Sequence, residues 1–135
     1  MVADKVVIYD IHETMGDSQR AIEHYSTTME VPEHLPVPAI RATLYSADRD
    51  LTAKGLRELE HRYRPLVVDW ESGAIAWVAK RNGTPLLILR GVSDLVSLET
   101  SEAEGNLALI QKNAALVMQQ LVRDLPKWIS VLPRS

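Results

Sequence analysis

Val67-Val68-Asp69-Trp70-Glu71-Ser72-Gly73-Ala74-Ile75-Ala76, followed by Leu86-Leu87-Ile88-Leu89-Arg90-Gly91-Val92-Ser93-Asp94, is the stretch that decides the fold. The run 66–68 is short, apolar and β-branched, which suits a buried strand. Residues 71–81 then carry Ala74, Ile75, Trp77, Val78 and Ala79 as a helix, with Asn82-Gly83 as its terminus. Residues 85–89 have no polar alternation, so they read as a strand buried on both faces, as in a sheet covered by helices. Each strand is followed closely by a carboxylate, Glu71 or Asp94.

The pattern continues outward. Val6-Val7-Ile8-Tyr9 reads as a strand that starts almost at residue 2, and 17–30 as a weak helix capped by Asp17 or Ser18. Pro32, Pro36 and Pro38 make 31–38 a connection. Residues 39–45 suit another strand. Thr52 caps a helix to about Tyr63, which Pro65 stops. A long helix is expected over 101–125, with Leu107, Ile110, Ala114, Val117, Met118, Leu121 and Leu125 as its apolar stripe and Pro126 as its end. Strands and helices alternate, which predicts an α/β fold: three layers around a central, mostly parallel or mixed sheet. Four strands leave at least one edge to be covered by a partner.

The bulk numbers bound the class. A chain of 135 residues fits one domain, 1–135. Net charge is −3, so nothing marks a nucleic-acid surface. There are no cysteines, which excludes disulfides and thiolate metal sites. The N-terminus lacks a signal-peptide pattern and no apolar run approaches the ~20 residues of a membrane span, so a cytoplasmic protein is expected. His12, His24, His34 and His61 share no ligand spacing, so no metal is expected.

On spacing alone two readings of Glu71 and Asp94 stand open. They are helix-start and turn residues, or they are site residues beyond the C-terminal ends of strands, where open α/β sheets bind ligands. A helix N-terminus also favours an ionised Glu71.

Resemblance adds to this. Asp69-Trp70-Glu71-Ser72-Gly73 and Arg90-Gly91-Val92-Ser93-Asp94 resemble the paired signatures of the purine nucleoside phosphorylase and methylthioadenosine/adenosylhomocysteine nucleosidase superfamily. There, an acidic-Met-Glu-Ser-Ala segment precedes a helix, and an apolar strand ends in Arg-(Ala/Gly)-Ile-Ser-Asp at a similar distance. Val2-Ala3-Asp4-Lys5 and Tyr45-Ser46-Ala47-Asp48 are similar to two further family segments. The resemblance covers nearly the whole chain but only the C-terminal half of the family domain. It implies about half of a nucleoside phosphorylase-like fold, a truncated domain whose ligand is a small purine nucleoside and which needs no cofactor. Glu71 would accept hydrogen bonds from the ribose 2′- and 3′-hydroxyls. Asp94 would protonate the purine N7, with Ser93 helping to place it. Such an acid must hold its proton near neutrality, which burial or a neighbouring carboxylate provides. Arg90 and Asp69 would be structural residues near the site.

The chain also departs from the family pattern. The half that supplies the glycine-rich loop and the water-activating acid has no counterpart here. Asp50 stands where the family places the aromatic that stacks on the purine, and the chain has no Phe, so Trp70 would supply a face or simply be core. The segment 17–38 is short. In dimeric members the loop near Met15 approaches the neighbouring site. Three functions follow as expectations: a nucleosidase or phosphorylase, a non-catalytic nucleoside-binding or assembly module, or an inactive fragment. A homo-oligomer, or a partner supplying the other half, is expected with the first two.

Overall fold

The computed structural model of the chain describes residues 1–97 and 106–132. Its elements are β1 (Val2–Ile8), α1 (Ser18–Tyr25), β2 (Thr27–Thr28), β3 (Arg41–Ser46), α2 (Ala53–Tyr63), β4 (Val67–Asp69), α3 (Ser72–Arg81) and α4 (Leu107–Ser130). They form one four-stranded sheet in the order β2-β1-β3-β4. β1, β3 and β4 run parallel, and β2 lies antiparallel on the edge of β1. Ile8 pairs with Ser46 and Ser46 with Asp69. The three parallel strands therefore end level, and the loops that leave them start from one rim.

Side chains alternate across the sheet, and this sorts the core into two halves. Ala3, Val6, Leu44 and Val67 meet Ala76 of α3 on one face. Val7, Tyr45 and Val68 meet Ile22 of α1 and Leu59 of α2 on the other. Helices thus cover both faces, giving the expected three layers. The first two helices start on their own caps. The Asp17 carboxylate accepts from the N–H of Gln19 at 2.9 Å and of Arg20 at 3.3 Å, and the Thr52 hydroxyl accepts from Gly55 N–H at 3.2 Å. α2 closes through Arg64 in the left-handed region, φ 48°, immediately before Pro65.

α3 sits so close to the sheet that one residue must be glycine. A Cβ on Gly73 would lie 2.6 Å from Cγ1 of Ile8 and 3.1 Å from Cβ of Ser46. Gly73→Ala is expected to destabilise the protein by about 1–3 kcal/mol, because this overpacking outweighs alanine's helix propensity gain of about 1 kcal/mol. Urea unfolding measures it, and a variant as stable as the parent contradicts it.

Four expectations need correction. The first helix ends at Tyr25 rather than near residue 30. Thr27 and Thr28, both β-branched, pair instead with Val6 and Lys5 and cover that edge of the sheet. Residues 85–89 form no sheet strand. They make a single antiparallel bridge, Leu89 to Val2, flanked by Ala3 N–H to Ile88 O at 3.0 Å and Arg90 N–H to Met1 O at 3.0 Å. Their apolar character has another cause: Ile88 packs with Leu44 and Ala76 under the sheet. An apolar run reports burial, not a ladder, and Pro85 brings no donor to one.

The last two corrections concern α4. The expected start at residue 101 lies outside the described residues. Pro126 does not end the helix, which continues to Ser130. Pro126 leaves the Val122 carbonyl without its N–H partner, at a cost of roughly 3 kcal/mol. Two residues beyond, Trp128 is 3% exposed, and burying a large apolar side chain offsets most of that cost. The stripe also shifts. Ile110, Val117 and Leu121 point inward in line with Trp128, whereas Leu107, Ala114, Met118 and Leu125 are exposed. The helix carries more apolar residues than one face holds, so periodicity alone did not select the buried face.

Candidate active site at the strand rim

The loop after β1 and the loop after β3 are bonded together: the Asp10 carboxylate accepts from Asp48 N–H at 3.1 Å. Beneath them Tyr9 is buried, and burial pushes its hydroxyl above the ordinary value, partly opposed by the Arg49 guanidinium. Asp50, in the same loop after β3, is exposed.

The loop after β4 holds the first acidic motif, and its geometry follows from how α3 begins. Glu71 occupies the cap position but makes no capping bond. Two other side chains satisfy the first amides. Asp69 Oδ1 accepts from Ser72 N–H at 3.2 Å, and Ser46 Oγ accepts from Gly73 N–H at 3.0 Å. Ser72, fully buried, also donates its hydroxyl to Asp69 Oδ2 at 2.5 Å. Glu71 is left at the surface with its side chain 63% exposed. Trp70 is 56% exposed, so it is not a core residue and its ring faces solvent at the same rim.

Arg90 joins the second motif to the first. Its Nε and Nη2 each lie 2.8 Å from Asp69 Oδ2, both donate to Ser72 Oγ at 3.2 and 2.9 Å, and Nη2 stands 3.6 Å from Glu71 Oε2. Asp94 follows four residues later, which bounds its backbone to within about 14 Å of Arg90. Asp94 is half-buried, and its Oδ1 accepts from Ser93 Oγ at 2.8 Å. The Ser93 carbonyl accepts from Asn113 of α4 at 2.7 Å, which ties this loop to the last helix. Gly91 lies against the same helix, where a Cβ would collide with Val117.

Asp69, Glu71 and Arg90 are therefore brought into one cluster, and Ser93 and Asp94 into a hydrogen-bonded pair on the same chain segment as Arg90. Met15 is wholly exposed. Among the described residues no group of three His, Asp or Glu side chains is placed to hold a metal. A cavity of about 170 Å³ between the start of β1 and α4, lined by Met1, Leu89, Arg90 and Trp128, is smaller than the ~300–1,000 Å³ of ligand pockets. Sequence reasoning assigned nothing to Ser46 or Ser72. Both stand in the quoted motifs, but that Ser46 caps α3 and that the Ser72 hydroxyl joins Asp69 to Arg90 depend on long-range pairing, which no local pattern carries.

No protein-family model and no curated protein matches the chain. Solved structures do. The chain is similar to the 5′-methylthioadenosine nucleosidase of Arabidopsis thaliana in its apo form, with TM-score 0.68 and 15% identity over 93% of this chain and 52% of that one. It is similar to the 5′-methylthioadenosine/S-adenosylhomocysteine nucleosidase of Helicobacter pylori bound to butyl-thio-DADMe-Immucillin-A, with TM-score 0.55 and 18% identity over 91% and 59%. It is also similar to a futalosine hydrolase mutant of Helicobacter pylori strain 26695, with TM-score 0.55 and 16% identity over 97% and 59%. The chain spans about half the length of each of these structures. Over that span it shares the α/β fold of these three structures.

Proposed function

We propose that the rim binds a purine nucleoside or thionucleoside, such as methylthioadenosine or adenosylhomocysteine, and serves hydrolysis of its N-glycosidic bond. One observation carries the reading. Arg90 bonds the first acidic motif to the segment that bears Asp94, while Glu71 stays free of any capping bond. The nucleosidase and hydrolase names of the similar structures support it. In this reading Glu71 accepts from the two ribose hydroxyls, a fit of one carboxylate to a vicinal diol. The C1′–N9 bond breaks with its electron pair leaving on the purine, Asp94 delivers a proton to N7, and a water oxygen bonds to C1′ while the proton that this water gives up passes to solvent, from which Asp94 is reprotonated. Free purine and the sugar are the products. Trp70 offers a ring to the base, in place of the Asp50 position, and Ser93 holds Asp94. Turnover belongs to the assembled protein, because the chain spans only about half of the matched fold.

A second reading, a nucleoside-binding module without turnover, is favoured by Asp50 at the base-stacking position. Calorimetry with methylthioadenosine and adenine, run beside an assay of adenine release, separates them. Release supports the enzyme, binding without release supports the module, and neither signal refutes both.

The reading includes an assembled state in a cytoplasmic setting. The outer face of α4 exposes Met118 (58%), Val122 (60%) and Ile129 (59%), an apolar stripe that water disfavours. Light scattering at micromolar protein is expected to show a dimer or larger species, and a monomer contradicts it. Among the described residues, no helix is long and apolar enough to cross a membrane.

A further inference from the structure

We propose that Asp69 is a positioning residue: it holds the Arg90 guanidinium out of hydrogen-bond contact with Glu71 and so keeps the Glu71 carboxylate open to the ribose diol. The inference rests on the nucleoside reading above.

Two demands compete for a carboxylate at the position of Glu71. The first comes from the exposed amides at the start of a helix, which ordinarily draw the cap side chain back onto the backbone. Here Asp69 and Ser46 meet it, so Glu71 makes no capping bond. The second demand comes from Arg90, the cation of the cluster. Its Nε and Nη2 are both committed at 2.8 Å to Asp69 Oδ2, with Ser72 Oγ accepting from each. Glu71 Oε2 makes only a longer ion pair with Nη2, at 3.6 Å, beyond hydrogen-bond distance. Burial decides the competition. The Asp69 side chain is 13% exposed and that of Glu71 is 63% exposed. A charged hydrogen bond is stronger where water is excluded, so the guanidinium settles on Asp69. Asp69 thereby does two jobs at once, and each releases Glu71.

Removing the Asp69 charge reverses this. Asn at position 69 keeps an oxygen for Ser72 N–H but no longer outbids Glu71 for the guanidinium. Arg90 then closes on Glu71 and occupies the oxygens that the diol needs.

The test compares binding of methylthioadenosine with binding of its 2′,3′-dideoxy analogue, by calorimetry on the intact protein. The parent is expected to prefer the ribonucleoside by about tenfold or more, as the loss of charge-assisted hydrogen bonds implies. Asp69→Asn is expected to lose that preference while binding the dideoxy analogue as before. The double variant Asp69→Asn with Arg90→Gln is expected to regain it, because no guanidinium remains to occupy Glu71. A purely structural Asp69 would weaken both ligands together. The proposal is overturned if Asp69→Asn keeps the preference, or if the double variant fails to recover it. Should Asp69→Asn not fold, Arg90→Gln alone decides: a retained preference supports the proposal, and a lost one makes Arg90 a direct ligand and overturns it. A parent protein with no preference for the ribonucleoside refutes the role of Glu71 itself, a failure distinct from that of Asp69.

Discussion

Asp94→Asn is expected to lower purine release by about 10²–10⁴-fold while leaving the fold intact, the range that a positioned general acid contributes. The purine leaves as a poor anion unless N7 is protonated as the bond breaks, and an amide has no proton of comparable acidity to give. The fold is expected to survive because the substitution conserves shape. The structural bond of Asp94 is accepted by Oδ1 from Ser93 Oγ at 2.8 Å, and the amide oxygen of Asn accepts it as well. The segment is held independently by the Ser93 carbonyl on Asn113 and by Gly91 against α4. The measurement is adenine release at equal protein concentration, with thermal melts of both proteins. Equal release from the two would remove Asp94 from the chemistry. Loss of release with a lowered melting temperature would show that the aspartate serves the fold instead.

Trp128→Ala carries the largest expected effect on stability, about 3–5 kcal/mol. Trp128 is 3% exposed and is the one buried side chain among the described residues of α4. It anchors the end of a helix that already accommodates Pro126. Without that anchor, nothing offsets the lost backbone bond, and the turn beyond the proline is expected to fray. Denaturant unfolding gives the free energy, and amide exchange over 127–132 reports the fraying. A loss below about 1 kcal/mol, typical of surface substitutions, would show that Trp128 is not a core residue. Because α4 also holds the Asp94 loop through Asn113, Trp128→Ala is expected to loosen that loop as well.

Much of the local structure around the rim was legible in the sequence. Glu71 was placed at a helix start by the β-branched run before it and the apolar spacing after it, and the helix does begin at Ser72. Thr52 and Asp17 were legible as caps because a cap bonds its own chain within three residues. Trp70 was not decidable, since an aromatic after a strand is as readily core as surface, and only the packed structure leaves it 56% exposed. Residues 85–89 misled for a definite reason. Their composition records a water-free environment, which a strand and an extended segment tucked against Ala76 share.

From sequence alone came the α/β class, the succession of elements and the two acidic motifs, since these depend on propensities and periods within a dozen residues. Tertiary structure alone decided that Arg90 reaches back to Asp69, that Ser46 caps a helix 27 residues away, and which face of α4 is buried. Those outcomes are set by the register of one strand against another and by competition among groups for the same few partners. Such competition is resolved only once the chain has closed its long-range contacts and excluded water from some of them.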